Sequence, residues 1–264
     1  MIAVDVSNYT TNLDPQALAA AGVKRVIVQI VNERVLTHRE QIPALLAAGI
    51  EVEAYVYQWF SSGPEFIRHR MTWALDELAA FPEVRRVWLD CEQSETDDPP
   101  YGGGLYTTDM IREAVTLAGE RAYEVGIYTA KWWWDRFQHE VTAFSMLPLW
   151  VAQYDDQPDA IFVPFGGWER CEMKQYAGDT AFAGVGGIDL SWYERNSSIG
   201  ENSPISEEDD VLQLESLTDQ AEAIRKVREA AEAVGPDQGQ WFRVTGGYTP
   251  KPGRVAYLVE VVEG

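Results

Sequence analysis

Over its first 196 residues the chain alternates short apolar runs with amphipathic stretches, and no other feature constrains the fold as much. Strands are expected at 2–5 (IAVD), 24–31 (KRVIVQIV), 51–59 (EVEAYVYQW), 84–90 (VRRVWLD), 125–129 (VGIYT), 148–154 (PLWVAQY), 170–176 (RCEMKQY) and 185–190 (VGGIDL). Helix signals fall between several of them. Asp14 is placed to cap a helix that begins at Pro15 and ends at Gly22, and Thr37 and Glu40 have capping-box spacing ahead of Gly49. Pro64 opens a third helix, and Met110, Ile111, Ala114, Val115 and Ala118 give a fourth its apolar face. Eight strands with interleaved helices predict the α/β class and a (β/α)8-like barrel with irregular helices. The competing architecture, a doubly wound open sheet, normally follows its first strand with a glycine-rich phosphate loop. Here the first strand runs into DVSNYT instead.

The pattern breaks after Asn196. Residues 197–210 (SSIGENSPISEEDD) are polar and acidic, the composition of a linker. Beyond them a helix is expected at about 211–234, with Leu214, Leu217, Ala221, Ile224 and Ala231 on one face. Two strands follow around GGYTPKPG, so residues 211–264 read as a small helix plus β-hairpin module. Such an α+β appendage would cap the barrel, bind the substrate polymer, or pair copies of the chain through its helix.

Charge narrows the partners. There are 42 acidic and 21 basic residues, for a net charge of −21. The excess is spread along the chain: residues 1–196 carry 29 acidic against 15 basic side chains, and residues 197–264 carry 13 against 6. Phosphates would be repelled, so nucleic acid is not an expected partner, and neither is an anionic membrane. No apolar stretch of 18 residues is present to span a bilayer. Cys91 and Cys171 do not make a disulfide framework. His38, His69 and His139 have no partners at metal-ligand spacing, so neither metal nor cofactor is expected. The opening MIAVDVSNYT lacks the basic and apolar regions of a signal peptide. An extracellular role would therefore need release by lysis, a separate export route, or carriage on a virion.

The segment VWLDCEQSE bears the chemistry. Side chains two apart on a strand share a face, so Asp90 and Glu92 point together and Cys91 points away. The carboxyl ends of barrel strands line the mouth where barrel active sites lie. Two neighbouring carboxyls there repel, and at least one keeps its proton to higher pH. Glycosidic cleavage uses such a pair: one acid protonates the leaving oxygen, and one carboxylate stabilises positive charge. Solvated strand ends and divalent-metal sites have the same local pattern. Asp5 ends the first strand and Asp189 the last, and these strands are neighbours in a closed barrel, so all four acids are expected in one bowl.

The order of motifs then resembles that of the family 25 glycoside hydrolases, the lysozymes or muramidases. DVSNY is similar to the family's opening, EAYVY to its third strand, WLDCE to its Asp-x-Glu strand, VGIYT to its fifth strand and PLWVAQY to its sixth. MKQYAGD followed by GVGGIDLSWY resembles its closing segment, and the likeness runs in collinear order over about residues 2–195. Val56, Lys174 and Ser191 stand where the family usually has His, Trp and Asn, changes expected to touch the groove. The resemblance implies Glu92 as general acid, Asp90 as the group that stabilises charge or orients a 2-acetamido group, and Asp5 and Asp189 as supporting acids. It implies cleavage of the β-1,4 bond between N-acetylmuramic acid and N-acetylglucosamine, with peptidoglycan glycan strands as partner and the bacterial cell wall as place of action. The alternatives are a non-catalytic or tail-associated carbohydrate-binding barrel and a glycosidase for another polysaccharide.

Pyranose rings stack on aromatic faces, and strand parity supplies candidates. Tyr57, Tyr128 and Tyr154 are expected at subsites, with Tyr55, Trp150 and Tyr176 as further lining. The run Trp132–Trp134 is expected on a helix after the fifth strand, with one indole left outside to extend the groove.

Overall fold

The computed structural model describes residues 1–92, 104–137, 142–194, 240–251 and 254–263. The first unit carries eight strands: β1 (Ile2–Val6), β2 (Arg25–Gln29), β3 (Glu51–Tyr57), β4 (Arg86–Cys91), β5 (Glu124–Thr129), β6 (Leu149–Ala152), β7 (Met173–Phe182) and β8 (Val185–Tyr193). They close into a barrel in sequence order. Between them run α1 (Pro15–Ala20), α2 (His38–Ala47), α3 (Pro64–Leu78), α4 (Gly104–Glu120) and α5 (Lys131–Phe137). The second unit contains β9 (Gln240–Lys251) and β10 (Arg254–Glu263), an antiparallel pair. The linker expected at 197–210 and the helix expected at about 211–234 lie outside the described residues.

The barrel departs from an all-parallel one in its last strand. β1 to β7 pair in parallel, whereas β8 is antiparallel to both β7 and β1. No described helix separates β6 from β7, and β7 turns into β8 through Ala183 and Gly184, both at positive φ (54° and 84°). Two consecutive left-handed residues make the tight turn whose twist suits an antiparallel hairpin.

The helix signals hold at α1 and fail in one detail at α2. The Asp14 side chain accepts from the Ala17 N–H at 2.9 Å, Pro15 opens the helix, and Gly22 follows its end at φ 92°. Thr37 has helical φ and makes no side-chain cap, so the expected capping box does not form. The Thr37 carbonyl instead accepts from the N–H groups of Glu40 and Gln41. Helix α3 buries Ile67, Met71, Ala74, Leu75 and Leu78 against the outer barrel wall. Each fully buried aliphatic side chain of the larger kind contributes about 1.5–3 kcal/mol. Among the described residues, no helix is long and apolar enough to cross a membrane.

Inward-facing side chains form tiers. Ala3, Ile27, Tyr55, Trp88, Tyr128, Trp150, Met173 and Tyr193, one from each strand, pack as a single cluster in the barrel interior. Two residues before Ile27, Tyr55 and Trp88 stand Arg25, Glu53 and Arg86, all buried and ion-paired to one another and to Glu51, Glu124 and Glu172. Two residues after Ala3, Trp88 and Met173 stand Asp5, Asp90 and Gln175. Alternation along a strand therefore puts an ion cluster at one end of the barrel, an aromatic tier in the middle and an acid-lined pocket at the other end.

Candidate active site

The pocket is lined by Asp5, Tyr55, Asp90, Glu92, Tyr128, Trp150, Gln175 and Asp189. All four acids expected there meet in it. Asp5 stands near the end of β1, and Asp90 and Glu92 at and just beyond the end of β4. Asp189 arrives differently from the expectation. It lies mid-strand on β8 and reaches the mouth because the antiparallel register sets it directly opposite Asp5.

Local irregularity in β7 completes the Asp189 environment. The β7–β8 ladder shifts register between Gln175 and Ala177 and again between Ala177 and Thr180. Within this bulged stretch Asp179 adopts φ 47°, and its N–H donates to Asp189 Oδ1 at 2.6 Å. Bulges re-aim strand groups in this way beside functional sites.

One side chain joins the acids to the aromatics. Gln175 Nε2 donates to Asp5 Oδ1 at 2.9 Å and to Asp189 Oδ2 at 3.0 Å. Its Oε1 accepts from the Tyr128 hydroxyl at 2.7 Å and from the Tyr154 hydroxyl at 2.8 Å. The Tyr128 hydroxyl also lies 3.2 Å from Glu92 Oε2. The indole N–H of Trp150 donates to Ser191 Oγ at 3.0 Å, and that of Trp88 to Glu53 Oε2 at 2.6 Å, which fixes the pocket floor from below.

Every acid in the pocket holds its proton more tightly than usual. Burial and the neighbouring Asp189 push Asp5 well up, against the Gln175 hydrogen bond. Burial, then Glu92 and Asp5, push Asp90 well up, and Arg70 opposes them. Burial lifts Glu92 from 4.5 to about 7; the Tyr128 hydroxyl pulls it down and Asp189 pushes it up. Burial also raises Asp189, while the Asp179 N–H restrains it. The tiers explain the common direction, because Arg25 and Arg86 lie beyond the aromatic tier and are committed to Glu53 and its partners. Among the described residues, Asp90 Oδ1 is buried without a hydrogen-bond partner. Among the described residues, no group of His, Cys, Asp and Glu is arranged to hold a metal ion.

The aromatic candidates divide. Tyr55, Tyr128 and Trp150 line the pocket. Tyr154 stands at its rim, 59% exposed, with its hydroxyl on Gln175. Tyr57 pairs in register with Asp90 and packs its ring 4.8 Å from that of Trp59, but neither is among the lining residues. Tyr176, next to the inward-facing Gln175, does not line the pocket. On α5, Trp133 and Trp134 are buried and Trp132 is exposed, as the run of three requires.

Two groups escaped the sequence reading. Gln175 shares its face with Met173 by strand parity, whereas the expected lining residue is the adjacent Tyr176. Arg70 lies on the buried face of α3, where its guanidinium donates to the carbonyls of Tyr57, Val31 and Ile30 at the ends of β3 and β2. The departures Val56 and Lys174 do not touch the groove. Val56 packs in the outer core, and Lys174 is turned to the β6–β7 connection. Ser191 does face inward, under Trp150.

A family model described as glycosyl hydrolases family 25 matches residues 4–185. Counting factor 50 of Dictyostelium discoideum is 36% identical over 120 residues, which cover 44% of this chain and 38% of that one. The chain spans less than half the length of the curated relatives that head the series. Among solved structures, a bacterial lysozyme from Streptomyces coelicolor superposes with a TM-score of 0.62 at 20% identity, over 73% of this chain and 91% of that one. A family GH25 lysozyme from Aspergillus fumigatus superposes with a TM-score of 0.63 at 17% identity, over 73% and 93%. These two likenesses establish the barrel fold.

Proposed function

The chain belongs to the glycosyl hydrolases of family 25, and from that premise we propose that it cleaves the β-1,4 bond between N-acetylmuramic acid and N-acetylglucosamine in bacterial peptidoglycan. The observation that carries this reading is the Glu92 carboxyl, which burial lifts to about 7, so that a large fraction of it is protonated at neutral pH. Glu92 delivers its proton to the glycosidic oxygen as the bond to the leaving sugar breaks. Positive charge then builds on the departing sugar, and Asp90 faces it or orients the 2-acetamido group for attack. Asp5 and Asp189 are supporting acids that shape the protonation of the pair, Asp5 pushing Asp90 up and Asp189 pushing Glu92 up. Tyr128 and Tyr154 present hydroxyls and ring faces to the glycan, Tyr55 and Trp150 support them from the floor, and Tyr57 and Tyr176 are outer contacts.

Glycan strands of the cell wall are the partner in this reading, and the wall is where the protein acts. Residues 1–196 form the catalytic domain, and residues 211–264 a module joined to it by the acidic segment 197–210. A chain ending at Asn196 is expected to unfold cooperatively and to keep its turnover of soluble glycan fragments. Aggregation of that chain would remove the division.

The direct test is Glu92→Gln, assayed on purified peptidoglycan and on chitin oligomers. The substitution removes the transferable proton and nearly keeps the shape, so turnover should fall by about 10²–10⁴-fold with folding intact. Near-native turnover in a folded Glu92→Gln protein would refute the assignment of the acid. Equal turnover of peptidoglycan and chitin by the native protein would replace the wall glycan as substrate.

A further inference from the structure

The four hydrogen bonds of Gln175 have a direction. A carboxamide donates only from its nitrogen and accepts only at its oxygen, and here both capacities are filled: two N–H bonds to carboxyls and two O–H bonds received from tyrosines. Reversing the amide would set its oxygen against two carboxyl groups, so the orientation is fixed by its partners. The nitrogen end favours negative charge on Asp5 and Asp189, since a hydrogen bond to the ionised form stabilises it.

The oxygen end acts on Glu92 through one proton. The Tyr128 hydroxyl has a single hydrogen and two acceptors in reach, Gln175 Oε1 at 2.7 Å and Glu92 Oε2 at 3.2 Å. The shorter contact draws that hydrogen chiefly to Gln175, so the longer bond to Glu92 favours its ionised form less than an undivided one would. A protonated Glu92 can donate into the hydroxyl's lone pair, whereas an ionised Glu92 has only this weakened donor there. Tyr154 is 3.5 Å from the Tyr128 hydroxyl and is itself engaged with Gln175 Oε1, so it does not make up the difference.

We infer that Gln175 is a positioning residue whose carboxamide sorts charge within the pocket, drawing it toward Asp5 and Asp189 and away from Glu92. The other groups facing the pocket do not perform this sorting. Asp90, on the same strand end as Glu92, is acidic, Tyr55 on β3 is a buried phenol, and Arg70 on α3 is committed to three backbone carbonyls and bears on Asp90. The catalytic consequence rests on the reading of Glu92 as the acid, but the location of the proton does not, and the two are measured separately.

Glutamate labelled with ¹³C at its side-chain carboxyl reports the titration of Glu92 by NMR, the signal being identified by its loss in Glu92→Gln. In Gln175→Met, which keeps length and removes both hydrogen-bonding ends, Tyr128 is free to donate to ionised Glu92. The Glu92 midpoint should then fall by about one pH unit, the size of one such hydrogen bond. Gln175→Leu also removes both hydrogen-bonding ends without adding charge and should show the same fall; this variant decides the matter if Gln175→Met does not fold. An unchanged or raised midpoint in whichever of the two variants folds overturns the inference. The alkaline limb of kcat/KM on soluble glycan fragments should move with the NMR midpoint. If the midpoint moves and the limb does not, the sorting stands and the assignment of Glu92 as the acid fails.

Discussion

Gly126 on β5 stands beside Trp88 on β4, and the indole lies where a side chain at 126 would be. A Cβ added there would sit 2.3 Å from both Cε3 and Cζ3 of Trp88. Carbon atoms rest at about 3.5–4.0 Å, so one methyl group overlaps the ring by more than ~1 Å. The ring is hemmed in. Its N–H is held by Glu53 at 2.6 Å, the Trp150 ring centroid lies 5.7 Å away, and the Arg86 guanidinium lies 5.3 Å from its own centroid. Overpacking a rigid core costs about 1–3 kcal/mol, and this site belongs at the top of that range. If the ring swings enough to lose Glu53, a further ~1.5–3 kcal/mol follows, because a buried carboxyl is left without its donor. Gly126→Ala should therefore destabilise by about 3 kcal/mol or more, a fall of roughly 6–12 °C in Tm for a domain of this size. Calorimetry measures the fall, and near-UV circular dichroism reports the displaced indole. A change in Tm below about 2 °C with an unaltered near-UV spectrum would refute the tight contact and the account of the pocket floor built on it.

Stability should fall as pH rises from about 4.5 to 7. Glu92 is lifted from 4.5 to about 7 and Asp5, Asp90 and Asp189 are also raised, and a raised acid contributes stability that is complete below its unfolded value and lost as pH climbs through the folded one. Glu77, pulled down to about 2 chiefly by Arg39, acts only below that window; His38, held below its usual value chiefly by burial, opposes the four acids within it, and a Tm that rises between pH 4.5 and 7 would contradict their dominance. Lys174 is fully buried and bonds Asp155, Asp159 and the Ile161 carbonyl at 2.8–3.0 Å, so Lys174→Met should cost about 1.5–3 kcal/mol and speed amide exchange at Ile161 and Val163. Unchanged exchange there would show that the lysine does not hold the connection. Ala183 occupies a left-handed turn position that favours Asn or Gly, so Ala183→Asn should raise Tm by a few degrees, and a lowered Tm would argue against this turn geometry.

The barrel and its four acids were legible because both are written in alternation. Short continuous apolar runs mark the strands, because both faces of a barrel strand are buried, and the two-residue repeat of a strand sets Asp90 and Glu92 on one face. The reversal of β8 was not legible, since an antiparallel and a parallel strand buried against a barrel have the same apolar pattern. Only the left-handed turn at Ala183–Gly184 separates them, and alanine conceals such a turn. Gln175 carries no signal in the sequence, because an amide has no charge to mark it and its importance lies in which groups surround it. Lys174 reads as a groove substitution from position alone. Its side chain points outward, and the carboxylates that receive it lie 15 and 19 residues earlier, on a connection without regular structure.

The reversed last strand also sets how the barrel bears load. The barrel's first residue and its last strand meet at one end of the β1–β8 seam, where the Met1 amino group donates to the Tyr193 carbonyl at 2.6 Å. Tension applied between Met1 and Glu194 would pull that seam apart from one end, so its hydrogen bonds would take the force one after another. In an all-parallel ring the first and last strands would present opposite ends to the same pull, and their shared bonds would resist together in shear. The closure that sets Asp189 against Asp5 thus makes the same seam a zipper under mechanical strain, with the pocket acids among the last contacts to open.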